Sequence, residues 1–198
     1  MPFLPLVLAA AALSPPGINP ATIDFPGTAL REDQSAAALV AISMDQHGRV
    51  ISCETRAVEG DPATANQLCA VAAKRRQIPA RWTDGTPAYG QIVTLLKLTV
   101  PNTREGNRIA DLRQAPDLEW TVNRLPNEAW NAQITVALAV DSTGRVTDCG
   151  AGRGETLAKL ISAVCADTSR FGTFPVQTIA GKPIPYVTQR IVRLVRAN

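Results

Sequence analysis

Histidine is almost missing from this chain of 198 residues: His47 is the only one. With a single imidazole, and with no two cysteines in CxxC spacing, a tetrahedral Cys/His metal site has no ligand set. The same scarcity removes the commonest general base. No serine sits in a Gly-x-Ser-x-Gly elbow, so hydrolase chemistry of the nucleophile–base kind finds no partners, and His47 is expected to be a solvated turn residue. A strong charge of either sign is also missing. The chain has 20 Lys and Arg against 17 Asp and Glu, a net charge of +3, too little for the electrostatic footprint of a nucleic-acid-binding protein. The densest basic run, Lys74-Arg75-Arg76, ends a predicted helix, where cations oppose the negative end of the helix dipole.

No apolar run approaches the ~20 residues that a membrane-spanning helix needs. The stretch FLPLVLAAAAL at 3–13 is shorter and contains Pro5. It lacks a basic n-region, but Ala10-Ala11-Ala12 offers small residues for signal-peptidase cleavage and Ser14-Pro15-Pro16 follows. Residues 1–22 are therefore expected to be a signal peptide and a Pro-rich extended leader. After its removal no transmembrane anchor of the chain's own is expected, and the protein is expected to be periplasmic or secreted.

What the chain does have is a repeat. MDQHGRVISC at 44–53 returns 96 positions later as VDSTGRVTDC at 140–149, and in each copy a second cysteine follows the first by 16 residues. A period this long means one small fold made twice. Units of roughly 80 residues have small cores and gain from a crosslink. Four cysteines allow three connectivities. The duplication favours the one that is the same in both halves, Cys53–Cys69 and Cys149–Cys165, over free buried thiols. Each loop closed in this way is worth on the order of 3 kcal/mol and requires an oxidising compartment.

Within each copy the pattern reads strand, turn, strand, helix, strand. Ile134, Val136, Leu138 and Val140 alternate with Gln133, Thr135, Ala137 and Ala139, the period of a strand with one buried face, and Val40, Ile42 and Met44 match them. Asp45 to Gly48 and Asp141 to Gly144 are predicted hairpin turns. Asp61-Pro62 predicts a helix start, with Ala65, Leu68, Cys69 and Ala72 on its apolar face. In the second copy Thr156 is the expected cap, ahead of Leu157, Leu160, Ile161, Val164 and Cys165. Gly85-Thr86-Pro87 and Gly181-Lys182-Pro183 precede a third strand, in which Leu96 and Leu98 align with Val192 and Leu194. Residues 101–117 are polar and proline-bounded, and read as a linker. Trp82, Trp120 and Trp130 hold unmatched positions and are read as core or partly buried packing.

The expected fold is therefore α+β: two tandem β-β-α-β units, each a three-stranded antiparallel sheet of order 2-1-3 with one helix packed on it. The first unit covers 23–100 and the second 118–198, with strands two and three as sheet edges.

DFPGTAL at 24–30, MDQHGRVISC, RRQIPAR at 75–81 and the Gly-Thr-Pro turn resemble the TonB C-terminal domain family. VDSTGRVTDC and GKPIPY at 181–186 resemble it a second time. The resemblance implies a periplasmic module that grips an extended peptide of an outer-membrane or periplasmic protein by adding it as a strand along strand three, linked to TonB-dependent transport across the envelope. The flanking residues would be Gln91, Thr94 and Lys97 in the first unit and Gln189, Arg190 and Arg193 in the second. The alternative is a structural or adaptor protein of the envelope whose two domains pair edge to edge, without energy transduction. No catalytic residue, metal or cofactor is expected under either reading, and no nucleic-acid partner.

Trypsin digestion without reduction should leave Val50–Arg56 linked to Ala57–Lys74, and Val146–Arg153 linked to Leu160–Arg170, in the mass spectrum. Linkage of Cys53 to Cys149, or four alkylatable thiols in protein recovered from an oxidising compartment, would refute the pairing.

Overall fold

The computed structural model describes residues 12–19 and 34–197. The expected signal-peptide core at 3–11 and the DFPGTAL stretch at 24–30 lie outside the described residues. The strands of the first half are β1 (Ala36–Met44), β2 (Val50–Gly60), β3 (Ala80–Arg81), β4 (Pro87–Ala88) and β5 (Gly90–Leu98), with helix α1 (Pro62–Ala73) between β2 and β3. Helix α2 (Arg104–Asp111) and strand β6 (Leu118–Val122) follow. The second half has β7 (Asn131–Val140), β8 (Val146–Ala151), helix α3 (Ala158–Cys165), β9 (Gln177–Ile179), β10 (Lys182–Ile184) and β11 (Tyr186–Arg196).

The expectation of two separate three-stranded sheets is overturned. One seven-stranded mixed sheet runs β2-β1-β5-β11-β7-β8, with β6 paired to β11. It is mixed because β11 is parallel to β5 and to β6 and antiparallel to β7. The third strands therefore lie in the middle, and β2 and β8 are its long edges. Short connections within each half do place strand three beside strand one. The edge that this leaves on β5 meets its counterpart β11 at Gly90, and β6 lies along the far part of the β11 edge.

The register sets which face each helix covers. Even-numbered residues of β1, such as Val40 and Ile42, pack under Leu68 and Cys69 of α1. Even-numbered residues of β7 and β11, such as Val136, Leu138 and Val192, pack under Leu160, Ile161 and Val164 of α3. At the junction Gly90 is opposite Val187, and paired residues point to the same face. The even face of β5 thus continues as the odd face of β11, and the two helices lie on opposite faces of the sheet. On its second face each half lacks a counterpart of that helix: the first half has the short α2, whose end meets Lys97 and whose Arg108 reaches Glu59, and the second half has no helix there among the described residues.

Hairpins fill part of that deficit. The β3–β4 pair of the first half lies over Ala137, Ala139 and Val187 of the second, with Ala80, Ala88 and Leu13 in the same cluster. The expectation that Ala137 and Ala139 face solvent is corrected: both are buried. The β9–β10 pair of the second half reaches Ser43 of β1, whose Oγ donates to Gln177 at 3.4 Å.

Local signals decide the ends of elements. Asp61 caps α1 by accepting from the Thr64 amide at 2.7 Å, with Pro62 in the first turn. Thr156 is not the cap of α3; its helix begins at Ala158, and Glu155 Oε1 accepts from the Thr156 and Leu157 amides at 3.0 and 3.2 Å. Leu157 is in consequence exposed rather than on the apolar face. The polar stretch 101–117 contains α2, capped by Thr103 and anchored by the fully buried Ile109. No helix among the described residues is long and apolar enough to cross a membrane.

Both disulfides join a cysteine of strand two to one of the overlying helix, Cys53 to Cys69 and Cys149 to Cys165, with Cα atoms 5.7 and 5.4 Å apart. They are compatible with a periplasmic or secreted protein. The turns between strands one and two are built alike. Asp45 Oδ1 accepts from the His47 and Arg49 amides, and Asp141 Oδ1 from those of Thr143 and Arg145. Gly48 and Gly144 have positive φ, and a Cβ on either would collide with the backbone oxygen of Gln77 or Phe174. The turn is thereby pinned to the chain that leaves the helix.

The hydrogen bond from the Thr143 side chain, helped by the Arg145 amide, holds the Asp141 carboxyl down at about 2, below its ordinary 3.8. A carboxylate depressed on folding stabilises the folded state above its unfolded pKa and loses that contribution as pH falls through the folded one. In urea titrations the stability difference between wild type and Asp141→Ala should hold at about pH 5 and shrink between pH 3.8 and about pH 2. A difference that does not change with pH would remove the carboxylate's charge from the account.

Candidate strand-addition interface

Beyond the Gly90–Val187 pair, β5 and β11 part and leave a fork. The chain that leaves α2 enters it. Asp117 donates its amide to the Ile191 carbonyl at 2.8 Å and accepts from the Ile191 amide at 2.7 Å. From there β6 continues as a parallel strand, Leu118 opposite Val192 through to Val122 opposite Arg196. On the β5 side, the Gln114 side chain donates to the Val93 carbonyl at 3.1 Å. The Ile191 main chain and the Val93 carbonyl, which an incoming peptide would need, are thus taken up by the connecting segment.

The residues expected to flank an added peptide fall around this fork. Gln91 is buried. Thr94 is opposite Val40; because the Tyr89 and Val93 carbonyls face the fork, the Thr94 amide faces β1 and not an edge. Lys97 donates its ammonium to the Ala110 and Leu112 carbonyls, covering the end of α2. Gln189 and Arg190 are half-buried on β11, which has a strand on each side. The Arg190 guanidinium stacks over Phe174 at 4.5 Å, and burial pulls its pKa below the ordinary value. Arg193 is exposed and 3.8 Å from Glu119 of β6. The premise that strand three is an open edge is therefore corrected for β11, which β5 and β6 flank; β5 meets β11 at Gly90 and takes the Gln114 bond at Val93.

The tryptophans divide. Trp120 of β6 is buried, with Arg170 stacked over it at 4.1 Å, and Trp82 packs partly buried against the alanine cluster. Trp130 is 61% exposed, with the Arg196 guanidinium over its ring at 4.0 Å.

A second added strand was not foreseen. Residues 14–17, read as a leader, run antiparallel to 78–81. Ser14 exchanges amide and carbonyl with Arg81 at 3.0 and 2.9 Å, and Gly17 does the same with Ile78 at 3.0 and 2.9 Å. Leu13 is 5% exposed among the alanines of the opposite half. Arg153, from the end of β8, donates to the Pro15 carbonyl at 2.8 Å. Room for this segment comes from Gly90, where a Cβ would lie 2.8 Å from that of Pro16. The one sequence signal was the mismatch at aligned positions, Gly90 in one half against Tyr186 in the other.

Thr94→Pro and Arg190→Pro each remove an amide that bonds to the neighbouring strand inside the sheet, so each should cost about 1–3 kcal/mol of unfolding free energy in urea titration. Unchanged midpoints would mean that these amides face open edges.

No protein-family model matches the chain, and no curated protein or solved structure does so.

Proposed function

We propose that this protein is a periplasmic, non-catalytic binding module that holds extended polypeptide by main-chain pairing, its segment supplied by an outer-membrane or periplasmic protein. One observation carries the reading. The fold takes two short extended stretches of its own chain as added strands, β6 along β11 and residues 14–17 along 78–81. Main-chain pairing of this type gives affinity without demanding a particular side chain at every position, and pockets beside the strand supply selectivity. The resemblance to the TonB C-terminal domain family points the same way and links the module to transport across the envelope.

The adaptor reading has its own support in the β5–β11 junction, which joins the two halves through their third strands. The two readings are compatible: a sheet closed in its middle can hold partners at other edges.

Peptides selected from a displayed random library on the oxidised protein should bind in extended form. N-methylation of alternate backbone amides in a selected peptide should weaken binding by about tenfold or more, roughly 1.4 kcal/mol for a lost hydrogen bond. Equal affinity of the methylated and parent peptides, or selection of helical peptides alone, would refute main-chain pairing.

A further inference from the structure

The two halves solve the same local problem in different ways. In the second half Phe174 donates to the Gly144 carbonyl as Gln77 does to that of Gly48, so Pro175 corresponds to Ile78. The Pro175 carbonyl accepts not from a strand but from the Tyr186 hydroxyl, at 2.9 Å. Tyr186 is fully buried, which pushes its phenol up to about 12. It aligns with Gly90. One half therefore carries a side chain that plugs this place and supplies the hydrogen bond. The other has no side chain there, and a groove that residues 13–17 fill.

The framework does not require an added strand, since the second half manages without one. We propose that the groove framed by 78–81, Gly90 and the alanine floor is a peptide-binding site, and that Leu13–Gly17 is its tethered occupant, the stand-in for an extended proline-containing segment of another protein. This rests on the binding reading above and names its site and ligand class. The ligand needs an apolar residue over Ala137 and Ala139. Two residues three apart must each offer an amide and a carbonyl, as Ser14 and Gly17 do. The residues between them need no amide, which suits prolines, and a proline pair is already extended and loses little freedom on docking. The residue over Gly90 must be no bulkier than Pro16. A side chain in place of Gly17 would displace Arg153, whose Nε would lie 2.7 Å from a Cβ there.

The probe is a fluorescent peptide with the sequence of residues 12–19, titrated into the full oxidised chain. Wild type should bind it weakly because the tethered copy competes. Leu13→Glu places a charge in the buried alanine cluster and loosens the tethered copy, so the peptide should bind at least about tenfold more tightly. Gly90→Val added to that variant should abolish binding. A folded Leu13→Glu protein with no gain overturns the proposal, and so does Leu13→Glu that has lost its cooperative unfolding, which would make the segment part of the core. Hydrogen exchange on unmodified protein gives an independent reading: the Ser14 and Gly17 amides should exchange at least about a hundredfold faster than those of β1 and β11. Exchange at the same rate as the sheet would mean that the segment opens only with the whole fold, and overturns the assignment. If library peptides bind while this probe does not, extended-segment binding stands and the groove assignment falls.

Discussion

The pairing of Gly90 with Val187 is the contact on which the other arrangements depend. It joins two antiparallel halves through parallel third strands, and because paired residues share a face, it turns one half over relative to the other. Each helix then covers only its own half on its own side. The opposite side of each half needs another cover, and the chain after each helix supplies it by reaching across the junction. Thr83, in the β3–β4 loop, donates to Asp148 of β8, and Gln177 of β9 accepts from Ser43 of β1. These crossings follow from the junction and not from any property of the hairpins themselves.

Small residues make the crossings possible. Ala137, Ala139, Ala80 and Ala88 are all buried in one cluster, which lets backbone approach the sheet closely. Larger side chains there would hold the hairpin and residues 13–17 away from it, as overpacked interiors do. On the helix-covered faces large side chains such as Val40, Ile42, Met44, Ile134 and Leu138 are more frequent, each worth about 1.5–3 kcal/mol when fully buried. The sheet thus has two kinds of interior, one that fills space with side chains and one that fills it with chain. The proposed peptide site belongs to the second kind.

Strand one, the Asp-x-x-Gly turn, the cysteine spacing, the Asp61 cap and the inward positions of Leu96, Leu98, Val192 and Leu194 were readable because each is a local or period-2 signal. The partners of β5 and β11 were not. A strand with unpaired amides looks the same in sequence whether it stays open, meets another copy or receives β6. The buried Ala137 and Ala139 were missed because alanine is tolerated on either face, and α2 because its eight residues are mostly polar, with Ile109 the one large apolar side chain. Thr156 was misassigned as a cap because Glu155, one residue earlier, makes the bonds.

By itself the sequence determined the duplicated strand–turn–strand–helix–strand order, the two crosslinks and the residues beneath each helix, since turn chemistry, loop closure and alternation act over neighbours or within one repeat. Only the tertiary structure decided that the halves share one sheet, that their helices lie on opposite faces, and that residues 13–17 lie in a groove while Tyr186 plugs its counterpart. Those outcomes depend on which unpaired edge meets which, and on whether a missing side chain at position 90 is filled from elsewhere. Both are settled by contacts between residues far apart in the chain.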